Sequence, residues 1–303
     1  MDERIVFESS LFGDENETSI NDLEFCVDRI MMLPRIRPHK LDKAVRLSIM
    51  FCQKEDFCGK LLEKSNECPV LIYKLYKLGV FGFEQIKPIL KNIKSFLLCY
   101  YFRNEINNFK SLIKNKDRPH NFEPSFFDNT VYIDQMIEYG FVPSSIEYCL
   151  KYDSIDDLHK FNIFNQKPKW SPFEWSIQPK YLDLLSFSGF FGSIKCFKHL
   201  LMEGFEINEN VFSMVVCSGC FDLFHLCQGQ QSITPNLVCK ASEFFHLPLL
   251  VFMTENGLSI KTKPRFFCAT PLHIAAENGH LGIVDFLFNQ KADIEAMTKE
   301  ITI

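Results

Sequence analysis

A helix–loop–helix pattern is written in residues 270–287, Thr270-Pro-Leu-His-Ile-Ala-Ala-Glu-Asn-Gly-His-Leu-Gly-Ile-Val-Asp-Phe-Leu287, and it runs on to Ala292-Asp293-Ile294. Thr270 is a good helix N-cap, and Pro271 follows where a missing N–H costs nothing. Gly279 can adopt the left-handed conformation that ends a first helix. Apolar residues then recur at helical spacing up to Leu287. The stretch therefore predicts two short helices joined at Gly279.

Weaker copies of this pattern precede it. A shift of 34 residues without gaps aligns Ala241-Ser242-Glu243 with Ala275-Ala276-Glu277, and it puts Phe245 at the position of Gly279. Gly219, Gly189 and Asp153 continue the series, with an insertion of about one helical turn predicted in residues 195–204. A second series, in which a helix is followed by glycine and an apolar residue, comprises Gly79, Gly140, Gly204 and Gly257. We predict about five units from about Ser145 to the end.

A hairpin of this kind covers its apolar face only when neighbours stack on it, so the repeats predict an all-α helical solenoid. Residues 1–144 show no clear repeat, but their apolar spacing is helical throughout, and alternating strand patterns are scarce. We predict an N-terminal helical domain over 1–144 and a degenerate repeat array over 145–303, whose best unit is 270–296. Residues 167–179, with three Pro and both Trp, indicate an insertion between units.

The carboxy-terminal half resembles the ankyrin family, most clearly over residues 270–296. The matching positions are Thr270, Pro271, Leu272, His273, Ala275, Ala276, Gly279, His280 and Asp293. The resemblance implies structural roles for them, with His273 bonding near Thr270 and His280 bonding within the inter-helix loop. Lys291 stands where the family has glycine, so a left-handed residue there would cost about 1 kcal/mol.

A second resemblance concerns Ser144-Ser-Ile-Glu-Tyr-Cys-Leu-Lys-Tyr-Asp-Ser-Ile-Asp-Asp-Leu158, which is similar to an ankyrin-related helical domain of unknown function found ahead of the repeats in large protist ankyrin families. Together the resemblances imply an intracellular binding scaffold with no known catalysis. Residues 297–303 stand where a following unit would begin. They form either a minimal cap or the end of a truncated longer array, and we favour truncation.

The ankyrin resemblance also implies where a partner would bind, because inner helices and hairpin tips form the concave surface that partners use in this family. The matching tip positions are Arg265, Phe266 and Phe267. The matching helix positions are Glu277 and Asn278, with Glu243 and Phe244 in the preceding unit. Two adjacent Phe on a loop tip indicate an interface, although either could instead fold back onto the neighbouring unit.

Composition narrows the class of protein. The chain has 33 Lys+Arg against 38 Asp+Glu, a net charge of −5, which argues against a general nucleic-acid binder. The 12 Cys have no framework spacing, and the acidic N-terminus lacks the apolar core of a signal peptide. The apolar stretch near residues 95–102 is too short to span a bilayer. We predict a cytoplasmic or nuclear protein with reduced thiols and no membrane insertion.

Two candidate chemistries can be weighed from the sequence. Cys217 and Cys220, with His225 and Cys227, begin like a zinc knuckle, but the last spacing is too short and the repeat pattern makes this region core. As a redox pair, Cys217 and Cys220 lack the strand-then-helix setting. Nucleophile elbows, phosphate loops and His-Glu-x-x-His are absent from the sequence. We predict no catalytic residue, no metal and no cofactor.

A basic stretch with interleaved aromatic residues runs through Lys87, Lys91 and Lys94 to Tyr100, Tyr101 and Phe102. Such a stretch can bind nucleic acid, but a charged face on a surface helix is the simpler interpretation. The leading prediction is a monomeric, non-catalytic scaffold that binds a partner protein through the concave face and hairpin tips. The alternative is an adaptor whose N-terminal helical domain recruits a second component, and a third is a zinc-binding protein or enzyme.

Overall fold

The structure, a computed structural model, describes residues 2–12, 20–54, 56–92, 96–107, 109, 130–180, 182–261 and 269–296. The regular structure of these residues is helical, with no β-strand among them. The helices are α1 (Glu3–Phe12), α2 (Leu23–Ile36), α3 (Leu41–Phe51), α4 (Phe57–Glu63), α5 (Pro69–Lys77), α6 (Phe83–Asn92), α7 (Phe96–Tyr101), α8 (Thr130–Tyr139), α9 (Ile146–Lys151), α10 (Ile155–Leu158), α11 (Leu184–Phe191), α12 (Ile194–Met202), α13 (Glu209–Ser218), α14 (Phe221–Gln228), α15 (Pro235–Glu243), α16 (Leu247–Glu255), α17 (Pro271–Glu277) and α18 (Leu281–Asn289). The predicted all-α class is confirmed.

The chain divides into two compact units. The first comprises Met1–Glu15, Cys149–Pro168 and Lys180–Ile303, and the second comprises Asn16–Tyr148 and Lys169–Pro179. Helix α1 thus belongs to the unit of the C-terminal helices, because its buried face packs on α18. Separate domains over 1–144 and 145–303 stay a prediction, and residues 297–303 lie outside the described ranges.

In the first unit, the last residues of α9 and helices α10 to α18 form five successive pairs. The first helices of the last four pairs pack in order, α11 on α13, α13 on α15 and α15 on α17. Each of these also packs on the second helix of its own pair. A continuous row of first helices is what a helical solenoid requires, because each hairpin buries its apolar face on its neighbours. The solenoid prediction is confirmed.

Residues with positive φ mark the register of the pairs. In four of the five pairs, one such residue ends the first helix and another follows the second helix twelve positions later: Asp153 and Asn165, Gly192 and Gly204, Phe245 and Gly257, Gly279 and Lys291. In the remaining pair, Gly219 alone has positive φ. Phe245 has φ 53° and Lys291 has φ 58°, so both adopt the conformation that favours glycine. Each costs roughly 1 kcal/mol relative to glycine, a cost that the packing of the stack must offset.

One predicted register is wrong by three residues. Gly189, which the sequence aligns with Gly279, lies buried inside α11, whereas Gly192 ends that helix with φ 71°. Gly189 serves packing instead, since a Cβ there would lie 3.0 Å from the Val215 side chain of α13. With Gly192 in register, the predicted insertion in residues 195–204 disappears.

The second unit contains α2 to α8. Helix α2 packs on α3 and α4, and α5 packs on α3 and α7. Residues 169–179, predicted as an insertion, are held in this unit by long-range hydrogen bonds. Trp175 Nε1 donates to the Pro38 carbonyl (3.2 Å), and the Ile177 N–H donates to the Arg35 carbonyl (2.9 Å).

Candidate partner-binding surface

A groove of about 550 Å³ opens between the N-terminal parts of α13 and α15, two neighbouring first helices of the stack. We call it the inner-helix groove. It is lined by Asn208, Glu209, Asn210, Ser213, Asn236, Leu237 and Lys240. Six of these seven residues have polar side chains, which offer hydrogen-bond donors and acceptors, while apolar atoms make up most of the exposed lining of the groove.

Hydrogen bonds between neighbouring elements hold the walls of the groove. The Asn208 side chain caps α13 by accepting from the Val211 N–H (3.0 Å). Asn236 Nδ2 donates to Glu209 Oε1 (3.0 Å), which connects α15 to α13, and Asn210 Nδ2 donates to Ser186 Oγ (3.1 Å) on α11. Because the last two of these bonds cross from one first helix to the next, the stack orients the groove side chains before any partner arrives.

Lys240 is the cationic group of the groove. Its Nζ lies 2.7 Å from Glu243 Oε2 and 5.7 Å from the centre of the Phe244 ring. Partial burial opposes its charge, but the neighbouring Cys217 and Glu243 outweigh that effect and raise the pKa of Lys240. Lys240 is therefore protonated at neutral pH, with its ammonium group held by one carboxylate and one aromatic ring, and the groove also contains the carboxylate of Glu209.

The predicted partner-binding residues do not all reach a surface. Glu277 is exposed, and the half-buried Asn278 donates from Nδ2 to the Ile274 carbonyl (2.8 Å). Glu243 is half-buried beside the groove, where it holds Lys240. Phe244 is only 1% exposed, so its prediction as a contact residue is wrong. It packs in the core, with its ring 6.1 Å from that of Phe190.

Arg265, Phe266 and Phe267, the predicted hairpin tip, lie outside the described residues, and their role stays a prediction. The groove residues were missed because the repeat comparison starts from the better-matched C-terminal unit. A signal was nevertheless present, since Asn208, Asn210 and Asn236 concentrate short amides where first helices begin. Such residues are usually caps, so sequence alone does not separate capping from binding.

The motif residues of the last pair hold their own helix and bind the pair to its predecessor. Thr270 caps α17, with its Oγ1 2.7 Å from His273 Nδ1, and the Thr270 N–H donates to that nitrogen (3.3 Å). Pro271 and Ala275 are buried. His280 Nε2 lies 3.0 Å from the Glu243 carbonyl. This bond therefore reaches the preceding pair. The resemblance had implied a bond within the inter-helix loop instead.

The same position recurs along the stack. His246 Nε2 lies 2.8 Å from the Cys217 carbonyl, and Ser193 Oγ bonds the Leu150 carbonyl. Each of these residues precedes the second helix of its pair, and its side chain bonds a carbonyl near the end of the first helix of the pair before.

The family comparison agrees with this geometry. Residues 268–299 match the ankyrin repeat family. The matched residues include α17 and α18, and ankyrin repeats are typically non-enzymatic modules of protein–protein interaction. A comparison with curated proteins finds no match. The resemblance of residues 144–158 to an ankyrin-related helical domain stays a prediction.

The cysteine cluster does not have the properties of a reactive site. Cys217 and Cys227 are buried, whereas His225 is exposed and lies 3.4 Å from Gln228 Oε1 through its Nδ1. Burial raises the pKa of the Cys220 thiol, and it raises that of Cys227 to about 12. These thiols are thus protonated at neutral pH and poor nucleophiles. Across the described ranges, no three His, Cys, Asp or Glu side chains group as metal ligands would.

The basic stretch also differs from a nucleic-acid surface. Tyr100, Tyr101 and Phe102 are buried, so they are not available to stack on bases. Lys87 pairs with Glu84 at 3.0 Å on the exposed side of α6. The described part of this stretch is therefore core on one side and a charged helix face on the other. Within the described residues, no helix is both long and apolar enough to cross a membrane.

Proposed function

We propose that this chain is a non-catalytic scaffold that binds a partner protein in the inner-helix groove. The observation that carries the proposal is the set of polar side chains in the groove, which neighbouring first helices hold in position. The partner segment supplies hydrogen-bonding groups to Asn208, Asn210 and Asn236, and an acidic or carbonyl group to Lys240. Because the groove is preorganised, little side-chain entropy is lost on binding.

The exposed Glu277 extends the proposed surface along the stack beyond the groove. Glu243 acts indirectly, by holding the Lys240 ammonium at 2.7 Å. Phe244 is not part of the surface. We retain Asn278 as an edge contact, since it is half-buried next to Glu277 and its Nδ2 donates to the Ile274 carbonyl of its own helix.

The test is an affinity capture from cytosol of the source cell with the wild-type chain and Asn236→Ala/Lys240→Met. The matched control is Lys195→Ala/Lys198→Ala, which alters two exposed lysines on α12 and leaves the groove intact. Circular dichroism establishes first that all three chains are equally helical. We expect the groove variant to lose a protein that both other chains retain. Equal retention by the groove variant contradicts the proposal.

A second candidate is the adaptor function, which a groove in the second unit favours. This groove, of about 350 Å³, lies beside α6 and is lined by Phe83, Glu84, Lys87, Leu90, Lys91, Glu105, Ile106 and Asn107. It combines apolar and charged side chains, as a site for a second component would. The adaptor function would be favoured if substitutions of Lys87 and Leu90 abolish capture of a protein that Asn236→Ala/Lys240→Met still retains.

A further inference from the structure

Helix α1 presents a strongly one-sided surface to the end of the repeat stack. Phe7, Glu8, Leu11 and Phe12 are buried, whereas Glu3 and Arg4 are exposed. The helix with which α1 packs most extensively is α18, the second helix of the last repeat. A ten-residue helix from the start of the chain therefore fits against the repeat nearest its end.

A buried carboxylate fixes the position of α1 on this surface. Glu8 is fully buried, and its Oε2 accepts from the Gly282 N–H at 2.8 Å. Gly282 is the second residue of α18, where the backbone N–H has no acceptor within the helix. Glu8 Oε1 also lies 3.7 Å from Nδ1 of the buried His280. The carboxylate thus caps α18 from outside the repeat and lies near the positive end of its dipole.

Aromatic packing adds shape to this polar contact. The Phe12 ring lies 4.6 Å from that of Phe245 and 6.2 Å from that of His280, centre to centre. A Cβ at Gly282 would lie in ordinary van der Waals contact with both partners, 3.4 Å from the Phe245 ring and 3.6 Å from Glu8 Oε2. A longer side chain at this position would meet both groups.

The preceding repeat lacks this site. Pro248 occupies the position of Gly282 in α16, has no N–H to donate and is exposed. In α12, by contrast, the N–H of the corresponding residue Lys195 donates to a carboxylate oxygen of Asp153 (3.1 Å). An N–H at this position is thus satisfied by a carboxylate from outside its helix in the second pair and in the last pair of the array, and in the last pair the carboxylate comes from α1.

We infer that Phe245, His280 and Gly282 form a docking site for an amphipathic helix that carries a glutamate, filled here by the chain's own α1 and open to α1 of a second copy when that helix is released. The glutamate selects the helix by its bond to Gly282, and the Phe four residues later fills the aromatic pocket. The site shares no residue with the inner-helix groove, so it does not depend on the proposed function.

The test uses the full chain with Glu8→Ala/Phe12→Ala. These substitutions weaken the packing of α1 on the docking site and leave the residues of the site itself unaltered. A fluorescent peptide of residues 2–12 is titrated against this chain and against the wild type, and anisotropy is measured. We expect saturable binding to the double variant and much weaker binding to the wild type, whose site is filled. The same peptide with Glu8→Ala should bind at least about tenfold more weakly, since it lacks a charged hydrogen bond.

Gly282→Pro, added to the double variant, is the matched control on the other side of the contact. It removes the N–H donor and also adds ring atoms beside Phe245 and Glu8, and Pro248 shows that a second helix of this array accepts proline at that position. Peptide binding should then fall at least about tenfold. If the double variant is not folded by circular dichroism, the milder Phe12→Ala chain replaces it. A folded chain that shows no saturable binding at millimolar peptide, or binding unchanged by Glu8→Ala or Gly282→Pro, overturns the inference.

Discussion

Gly219→Ala tests directly how one repeat is joined to the next. Gly219 ends α13 with φ 72°, and a Cβ there would lie 2.0 Å from Cε1 and 2.1 Å from Nδ1 of His246. The His246 ring is buried and holds its place by the 2.8 Å contact from Nε2 to the Cys217 carbonyl. A methyl group on Gly219 must therefore displace the ring that bonds the two repeats.

Two contributions set the magnitude. The left-handed conformation costs an alanine roughly 1 kcal/mol. Loss of the bond from His246, with the Cys217 carbonyl left without it, costs about 1–3 kcal/mol more. We therefore expect Gly219→Ala to lower the free energy of unfolding by about 3 kcal/mol in total. The matched control is Gly257→Ala, where φ is 87° and no atom lies within 4 Å of the added Cβ, so only about 1 kcal/mol is lost.

Urea unfolding followed by circular dichroism measures both variants under one condition. A third chain, Gly219→Ala/His246→Ala, removes the ring that the methyl group meets. Its loss of free energy should be smaller than the sum of the two single losses, because the bond from His246 to the Cys217 carbonyl is lost in each single variant but only once in the double variant. If Gly219→Ala and Gly257→Ala agree within about 0.5 kcal/mol, the space above Gly219 is not restrictive and the reasoning fails.

Three further predictions concern single residues. Phe244→Ala should lower the free energy of unfolding, measured in urea, by about 3–5 kcal/mol, because a buried ring is lost. The control Glu277→Ala, at an exposed residue, should change it by less than about 0.5 kcal/mol. A similarly small loss for Phe244→Ala would show that the Phe244 ring is exposed and available to a partner. Lys291→Gly should raise the thermal midpoint and stabilise the chain by about 1 kcal/mol, since φ is 58° there, and a lower midpoint would contradict this. Burial raises the pKa of Cys227 from 9.0 to about 12, so its stabilising contribution is complete below pH 9 and is lost as the pH rises towards 12; the fall in unfolding free energy over that range should be shallower in Cys227→Ala.

The hairpin signals in the sequence were reliable where their cause is local. Positive φ occurs at Gly79, Gly140, Gly204 and Gly257, the four glycines of the second series, and at Phe245, which stands where the repeat needs glycine. These conformations depend on the helix that each residue ends, so a short stretch of sequence contains their cause. The prediction that Gly189 ends a helix was wrong because the role of this glycine is not local. Its small size allows close contact with Val215 in another helix.

Surface residues were harder to predict than helices. Phe244 and Glu243 are neighbours in sequence, yet one is in the core and the other lies beside the groove. Which of two adjacent residues faces a partner depends on where the helix ends and what packs on it, and α15 ends at Glu243. The amides of the inner-helix groove likewise acquire a role only when α13 and α15 lie side by side.

The helical class, the hairpin pattern and the ankyrin-like last repeat could be predicted from the sequence, because caps, left-handed residues and apolar spacing act over a few residues. The three-dimensional packing was needed to show that α1 packs on α18, with Glu8 bonded to Gly282 across 274 positions of the chain. It was also needed to show that first helices of neighbouring repeats form a polar groove. Contacts between residues far apart in the chain produce no repeating pattern in the sequence, because each one depends on a single pair of side chains or backbone groups.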